Sequence, residues 1–145
     1  MKRALRLFHF LISPVAKFFQ NNLDNFIANF GFESIESMKA NSKEVTDLSE
    51  DKTATLLNIK FKEEQKAWAM PYKIAMPLFK IPSDYFSLGK SKKIVTTCPD
   101  KDRAVTAMMY LKSKGNTTGT LFDGLHGLAE YLKVDKPKLF IDKLE

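Results

Sequence analysis

Short β-branched and aliphatic runs, alternating with helical patterns, are the feature that most constrains this chain. Thr53-Ala-Thr-Leu-Leu-Asn-Ile59, Ile94-Val-Thr-Thr97 and Thr118-Gly-Thr-Leu-Phe122 have no helical period and read as strands. Ile74-Ala-Met-Pro77, hemmed by prolines, reads as a brief strand ending at a turn. Helical patterns run from Asp102 or Arg103 to Lys114, closed by Gly115, and from Gly124 to Leu132. The polar stretch 33–52 holds a short helix from Ser34 to about Ala40, and residues 82–91 form a punctuated connection with one helical turn near Tyr85. Strands separated by helices return in the same direction, which predicts an α/β fold with a mostly parallel, open sheet flanked by helices. With 145 residues, 44% of them hydrophobic and 12 of them phenylalanine, the chain can fill one core.

In such sheets the working site lies beyond the carboxyl ends of the strands. That is where the only cysteine falls. Cys98 ends the run Ile94–Thr97 and is followed by Pro99, Asp100, Lys101, Asp102 and Arg103, where the helical pattern begins. A thiol at the amino end of a helix faces unpaired N–H groups and the positive end of the helix dipole. Both favour the thiolate, which is the nucleophilic form. Arg103 adds to the case, because the residues after Phe32 hold 18 lysines and this single arginine. Cys98 is therefore the candidate nucleophile, and Arg103 the candidate clamp for a donor or for the loop. Lys101 is a candidate lining residue. Asp102 reads as a helix cap or first-turn acid.

The segment before this domain has its own character. Residues 1–32 carry a net charge of +3, half of the chain's +6. Val15, Phe18, Phe19, Leu23, Phe26, Ile27 and Phe30 recur at helical spacing before Gly31, as in an amphipathic helix. Three fates fit it: packing on the domain or on a second copy, attachment to a membrane surface, or cleavage as a signal. The apolar stretch Leu7–Ala16 is interrupted by His9 and Pro14 and falls well short of a transmembrane span. The expected organisation is a helical segment over 1–32 and a domain over 33–145. A homodimer or a peripheral membrane contact through residues 1–30 are the partners it suggests.

One cysteine excludes an internal disulfide framework and a cysteine-cluster zinc site, and fits a reducing, cytoplasmic setting. His9 and His126 have no metal-like spacing, so no metal is expected. Lysines and acids interleave after residue 32, without the basic stripe of a nucleic-acid binder.

The stretch from about Glu33 to Leu132 resembles the rhodanese-homology family of single-domain sulfurtransferases. Three pieces carry the resemblance. Leu57-Asn-Ile-Lys60 with Met70-Pro71-Tyr-Lys-Ile74-Ala-Met76-Pro77-Leu78 is similar to the family's first core strand and its proline-bounded segment. Ile94-Val-Thr-Thr-Cys98 through Arg103 resembles the strand and active-site loop, and Phe122-Asp123-Gly124 the turn opening the last helix. The resemblance implies a persulfide on Cys98, received from a small-molecule or protein sulfur donor and passed to an acceptor. It also implies that the backbone of residues 99–103 cradles the sulfur and that neither metal nor organic cofactor takes part. Cys98 and Arg103 bracket four residues, the spacing of the sulfur-transferring members; phosphatase-like members carry one residue more.

The chain departs from the family in several places. The usual Asp-Val-Arg is Asn58-Ile59-Lys60, and the usual Gly-His is Trp68-Ala69. Lys101 stands where glycine is common, which predicts strain if that position needs a positive φ. Asp100 and Asp102 offset Lys101 and Arg103, leaving a loop of formal charge zero. These departures define a rival expectation, a rhodanese-fold binding or regulatory module, associated with a membrane surface or not, in which Cys98 is inert or only senses redox state.

Overall fold

The computed structural model describes residues 24–68 and 74–133. The chain divides into two units, residues 1–35 and 36–145. In the first, residues 24–28 are helical and the helix has ended before Gly31. The rest of the expected amphipathic helix, with His9, lies outside the described residues. Among the described residues no helix is long and apolar enough to cross a membrane.

The second unit is built on a five-stranded sheet in which every pairing is parallel. Its strands are β1 (Lys39–Ala40), β2 (Ala54–Asn58), β3 (Ile74–Ala75), β4 (Lys93–Thr97) and β5 (Thr118–Leu121), in the order β1-β5-β4-β2-β3. β4 is central, with Thr96 level with Leu57 of β2 on one side and with Thr120 of β5 on the other. All strands end at one edge of the sheet, so the segments after Leu121, Thr97 and Asn58 come together there.

The helices are α1 (Phe32–Met38), α2 (Ser42–Glu50), α3 (Lys62–Ala67), α4 (Ile81–Asp84), α5 (Lys101–Ser113) and α6 (Gly124–Leu132). Short 3-10 turns flank α4. Side chains alternate across the pleat. Leu56 and Val95 face one layer, where they meet Val45 of α2 and Leu125, Leu128 and Leu132 of α6. Leu57, Ile59 and Ile94 face the other, where they meet Ile81 and Ala104, Ala107 and Leu111 of α5. Cys98 belongs to this second layer.

Three expectations need correction. The helix expected from Ser34 to Ala40 starts at Phe32 and ends at Met38, because Lys39 and Ala40 leave it to pair with β5. The stretch up to residue 52 contains α2, opened by a reciprocal cap. The Glu44 N–H donates to Asn41 Oδ1 and the Asn41 N–H to Glu44 Oε2, both at 2.9 Å. The helix after Cys98 opens at Lys101 rather than at Asp102 or Arg103.

Candidate active site at the end of the central strand

Cys98 follows β4 directly and is 1% exposed. The backbone turns at Asp100, whose extended φ of −103° and ψ of 157° make it the N-cap, and helical geometry begins at Lys101. The backbone amides of Ala104 and Arg103 favour the anionic form of the Cys98 sulfur. Thr96 fixes this arrangement from below. Its hydroxyl lies 2.8 Å from the Ala104 carbonyl and 3.2 Å from the Gly119 carbonyl, tying the first turn of α5 to the sheet.

The loop leans on the turn after β5. Gly124 has φ of +66°, and a Cβ there would come within 3.3 Å of the Pro99 carbonyl oxygen. Glycine therefore serves twice, for its left-handed backbone and for this close approach. Asp123 holds the same turn to α2, accepting from the Ser42 N–H at 2.8 Å and the Ser42 hydroxyl at 3.0 Å.

Arg103 points to the opposite flank. Its guanidinium donates to both oxygens of Glu64, at 2.7 and 2.6 Å, and lies 4.9 Å from the centre of the Phe61 ring. Phe61 in turn stacks on Phe79 at 6.3 Å. Oε2 of Glu64 also accepts from the Phe61 N–H at 2.8 Å. The hydrogen bonds from Arg103, helped by the Phe61 N–H, hold the Glu64 carboxyl down to about 2 against its burial. Arg103 thus sits near Cys98 with its fork engaged by a carboxylate.

The expectation that the helix terminus holds the thiol below its ordinary pKa is reversed. Burial raises the Cys98 pKa, and Asp100 adds to the rise. The amides of Ala104 and Arg103 and the Arg103 charge pull it down by less. The position of Lys101 needs no positive φ, so the condition for strain there is not met: Lys101 is helical, and Lys52 is the only non-glycine with positive φ among the described residues.

The remaining loop residues separate. Pro99 is half-buried, while Asp100, Lys101 and Asp102 are exposed. Asp102 is a first-turn acid whose carbonyl accepts from the Thr106 hydroxyl at 2.9 Å. The Lys101 ammonium lies 4.3 Å from the centre of the Phe122 ring.

Away from the loop, Lys60 is fully buried; its ammonium donates to the Trp68 carbonyl at 2.5 Å, and burial lowers its pKa. Trp68 packs on the α2–α6 layer and meets the His126 ring at 5.1 Å. Among the described residues no group of three or more His, Cys, Asp or Glu side chains could hold a metal ion.

Glu64, Phe61, Thr96, Phe122 and Asp123 were not expected as parts of this site. Glu64 is 39 positions from Arg103, and nothing in its charged neighbourhood marks it out. The Gly after Asp123 was a visible turn signal, but the contact with Pro99 was not.

No family model matches the chain, and no curated protein matches it. Solved structures do. A rhodanese-related protein of Thermoplasma volcanium superposes with a TM-score of 0.58 at 18% identity, over 64% of this chain and 91% of its own. The fold is the rhodanese fold. A single-domain sulfurtransferase of Saccharomyces cerevisiae shares it with a TM-score of 0.53 at 19% identity, over 67% of this chain and 92% of its own. So does a Rhodopseudomonas palustris protein described as a possible tyrosine phosphatase, with a TM-score of 0.56 at 14% identity over 77% and 89%. The sequence resemblance to rhodaneses and the observed fold thus agree. A fold alone does not name a reaction, so the reaction must be argued from the site.

Proposed function

We propose that this chain is a rhodanese-family sulfurtransferase that carries sulfane sulfur on Cys98. The observation that supports this most is the place of Cys98, buried between the end of β4 and the first turn of α5, within a loop that Thr96 and Gly124 hold in place. Fixed donors around a sulfur anion need no reorganisation when charge develops there. In the reaction, the Cys98 thiol gives its proton to solvent and the thiolate attacks the outer sulfur of thiosulfate. The Cys–S bond forms, the S–S bond of thiosulfate breaks, and sulfite leaves with the bonding electron pair. An acceptor such as cyanide then attacks the terminal sulfur of the persulfide, giving thiocyanate and the free thiolate. Pro99, Asp100 and Lys101 line the loop; Arg103 orients it through Glu64.

The reading needs the loop to admit substrate, because Cys98 is 1% exposed and its thiol is held above the ordinary range. These two facts favour a second reading, a rhodanese-fold binding or regulatory module with an inert cysteine. Incubation with thiosulfate and cyanide separates the two. Sulfur transfer produces thiocyanate with the native chain and none with Cys98→Ser. Thiocyanate from neither, with a thiol that resists iodoacetamide in the folded protein, supports the module.

A further inference from the structure

The loop's own charges cancel, yet a cation from another part of the chain meets the ring that the loop's Lys101 also meets. Lys39, at the start of β1, places its ammonium 4.9 Å from the centre of the Phe122 ring. Lys101 places its ammonium 4.3 Å from the same ring. Two cations thus share one exposed aromatic ring directly after β5, beside the turn whose Gly124 abuts Pro99 of the Cys98 loop. Their other partners differ. Among the described residues Lys101 makes no ion pair, although Asp100 and Asp102 adjoin it in sequence. Lys39 pairs with Glu36 at 2.5 Å in an exposed i,i+3 contact. Asp123, the remaining nearby acid, is engaged by Ser42.

We propose that Lys39 and Lys101, seated on Phe122, form an anion subsite that draws the charged end of the sulfur donor towards Cys98. This rests on the sulfurtransferase reading and names its donor class: a small anionic sulfur compound, with thiosulfate as the probe. Arg103 is the expected candidate for that task, but Glu64 already occupies its fork. The Lys39–Glu36 pair is exposed and exchangeable, so an incoming anion can replace Glu36 at Lys39. Phe122 keeps the two ammoniums at a fixed place, since each gains from the ring face. Glu36 then acts as the brake on this subsite.

That arrangement gives Lys39 and Glu36 opposite effects, which a merely structural pair would not show. The test compares alkylation of Cys98 by iodoacetate, an anion, with alkylation by iodoacetamide, its neutral counterpart. The ratio of the two rates reads the electrostatics at the thiol independently of sulfur transfer and of thiol pKa. Lys39→Gln is expected to lower the ratio about two- to fivefold, and Glu36→Gln to raise it by a similar or smaller factor. Both shifts should shrink in high salt. An unchanged ratio in both variants, or a shift of the same sign in both, overturns the subsite. So does failure of either reagent to reach Cys98 in the folded protein. If the ratios move as expected but thiosulfate leaves no sulfur on Cys98, the subsite stands and the sulfurtransferase reading falls.

Discussion

The Cys98 loop has two flanks, and they are built on different plans. On the β2 side, Phe61 and Glu64 close on Arg103 with two hydrogen bonds and a ring contact, and the charges cancel. On the β5 side, Lys101 and Lys39 rest on Phe122, and the carboxylate paired with Lys39, Glu36, is exposed and exchangeable. A bidentate guanidinium–carboxylate pair fixes geometry, whereas a cation over a ring keeps much of its field available to solvent and ligand. One flank therefore sets the shape of the loop, and the other keeps charge at its mouth.

The largest expected difference between the flanks is in stability. Arg103→Ala leaves the Glu64 carboxylate without its partner and uncovers Phe61. The pair is about a quarter exposed, so the cost should be about 1 to 2 kcal/mol after screening by solvent. Lys101→Ala should cost less than about 0.5 kcal/mol. Urea denaturation at unchanged m-value measures both; equal costs would erase the distinction.

Gly124→Ala tests the lean of the loop on the β5 turn. It forces an L side chain into a left-handed backbone and against the Pro99 carbonyl, so about 1 kcal/mol or more should be lost. The same variant should change the rate of Cys98 alkylation, because the contact it disturbs is with the next residue.

Acid titration sharpens the locked flank. The Glu64 carboxyl is depressed to about 2, so its contribution is full above the ordinary carboxylate range and is lost as pH falls towards 2. Glu64→Gln lacks this component. The stability gap between native chain and variant should narrow between about pH 4.5 and 2, by roughly 1 kcal/mol at most for a pair that solvent still partly screens. A gap that stays constant over that window would show that the pair contributes little.

The smallest effect concerns the thiol. Because burial raises the Cys98 pKa, the rate of iodoacetamide labelling should still be climbing with pH above the ordinary thiol value of about 8.5. A plateau near neutrality would contradict the balance of burial and amide donors described above.

Much of this was legible from sequence for a physical reason. Strands β2, β4 and β5 are buried on both faces, and their runs of β-branched and aliphatic residues say so directly. The helix Gly124–Leu132 has the apolar period and the glycine turn that mark it. Strand β1 was not legible, because two residues carry no period and Lys39–Ala40 form a strand only through pairing with β5. Helix α2 was missed although Asn41 and Glu44 spell its cap, because its polar composition masks the one buried stripe. At the site, Cys98 and Arg103 stood out by their rarity. Their actual partners did not. Glu64 and Phe122 meet the loop through tertiary folding, and burial of Cys98 depends on the whole α5 layer, so local reasoning about the helix terminus gave the wrong sign for the thiol.

Intact-protein mass spectrometry decides whether Cys98 carries sulfur. The native chain, treated with thiosulfate and separately with glutathione persulfide, is compared with Cys98→Ser before and after cyanide. A gain of one sulfur atom is expected on the native chain, removed by cyanide and absent from the variant. A folded native chain that gains no sulfur from either donor would contradict it.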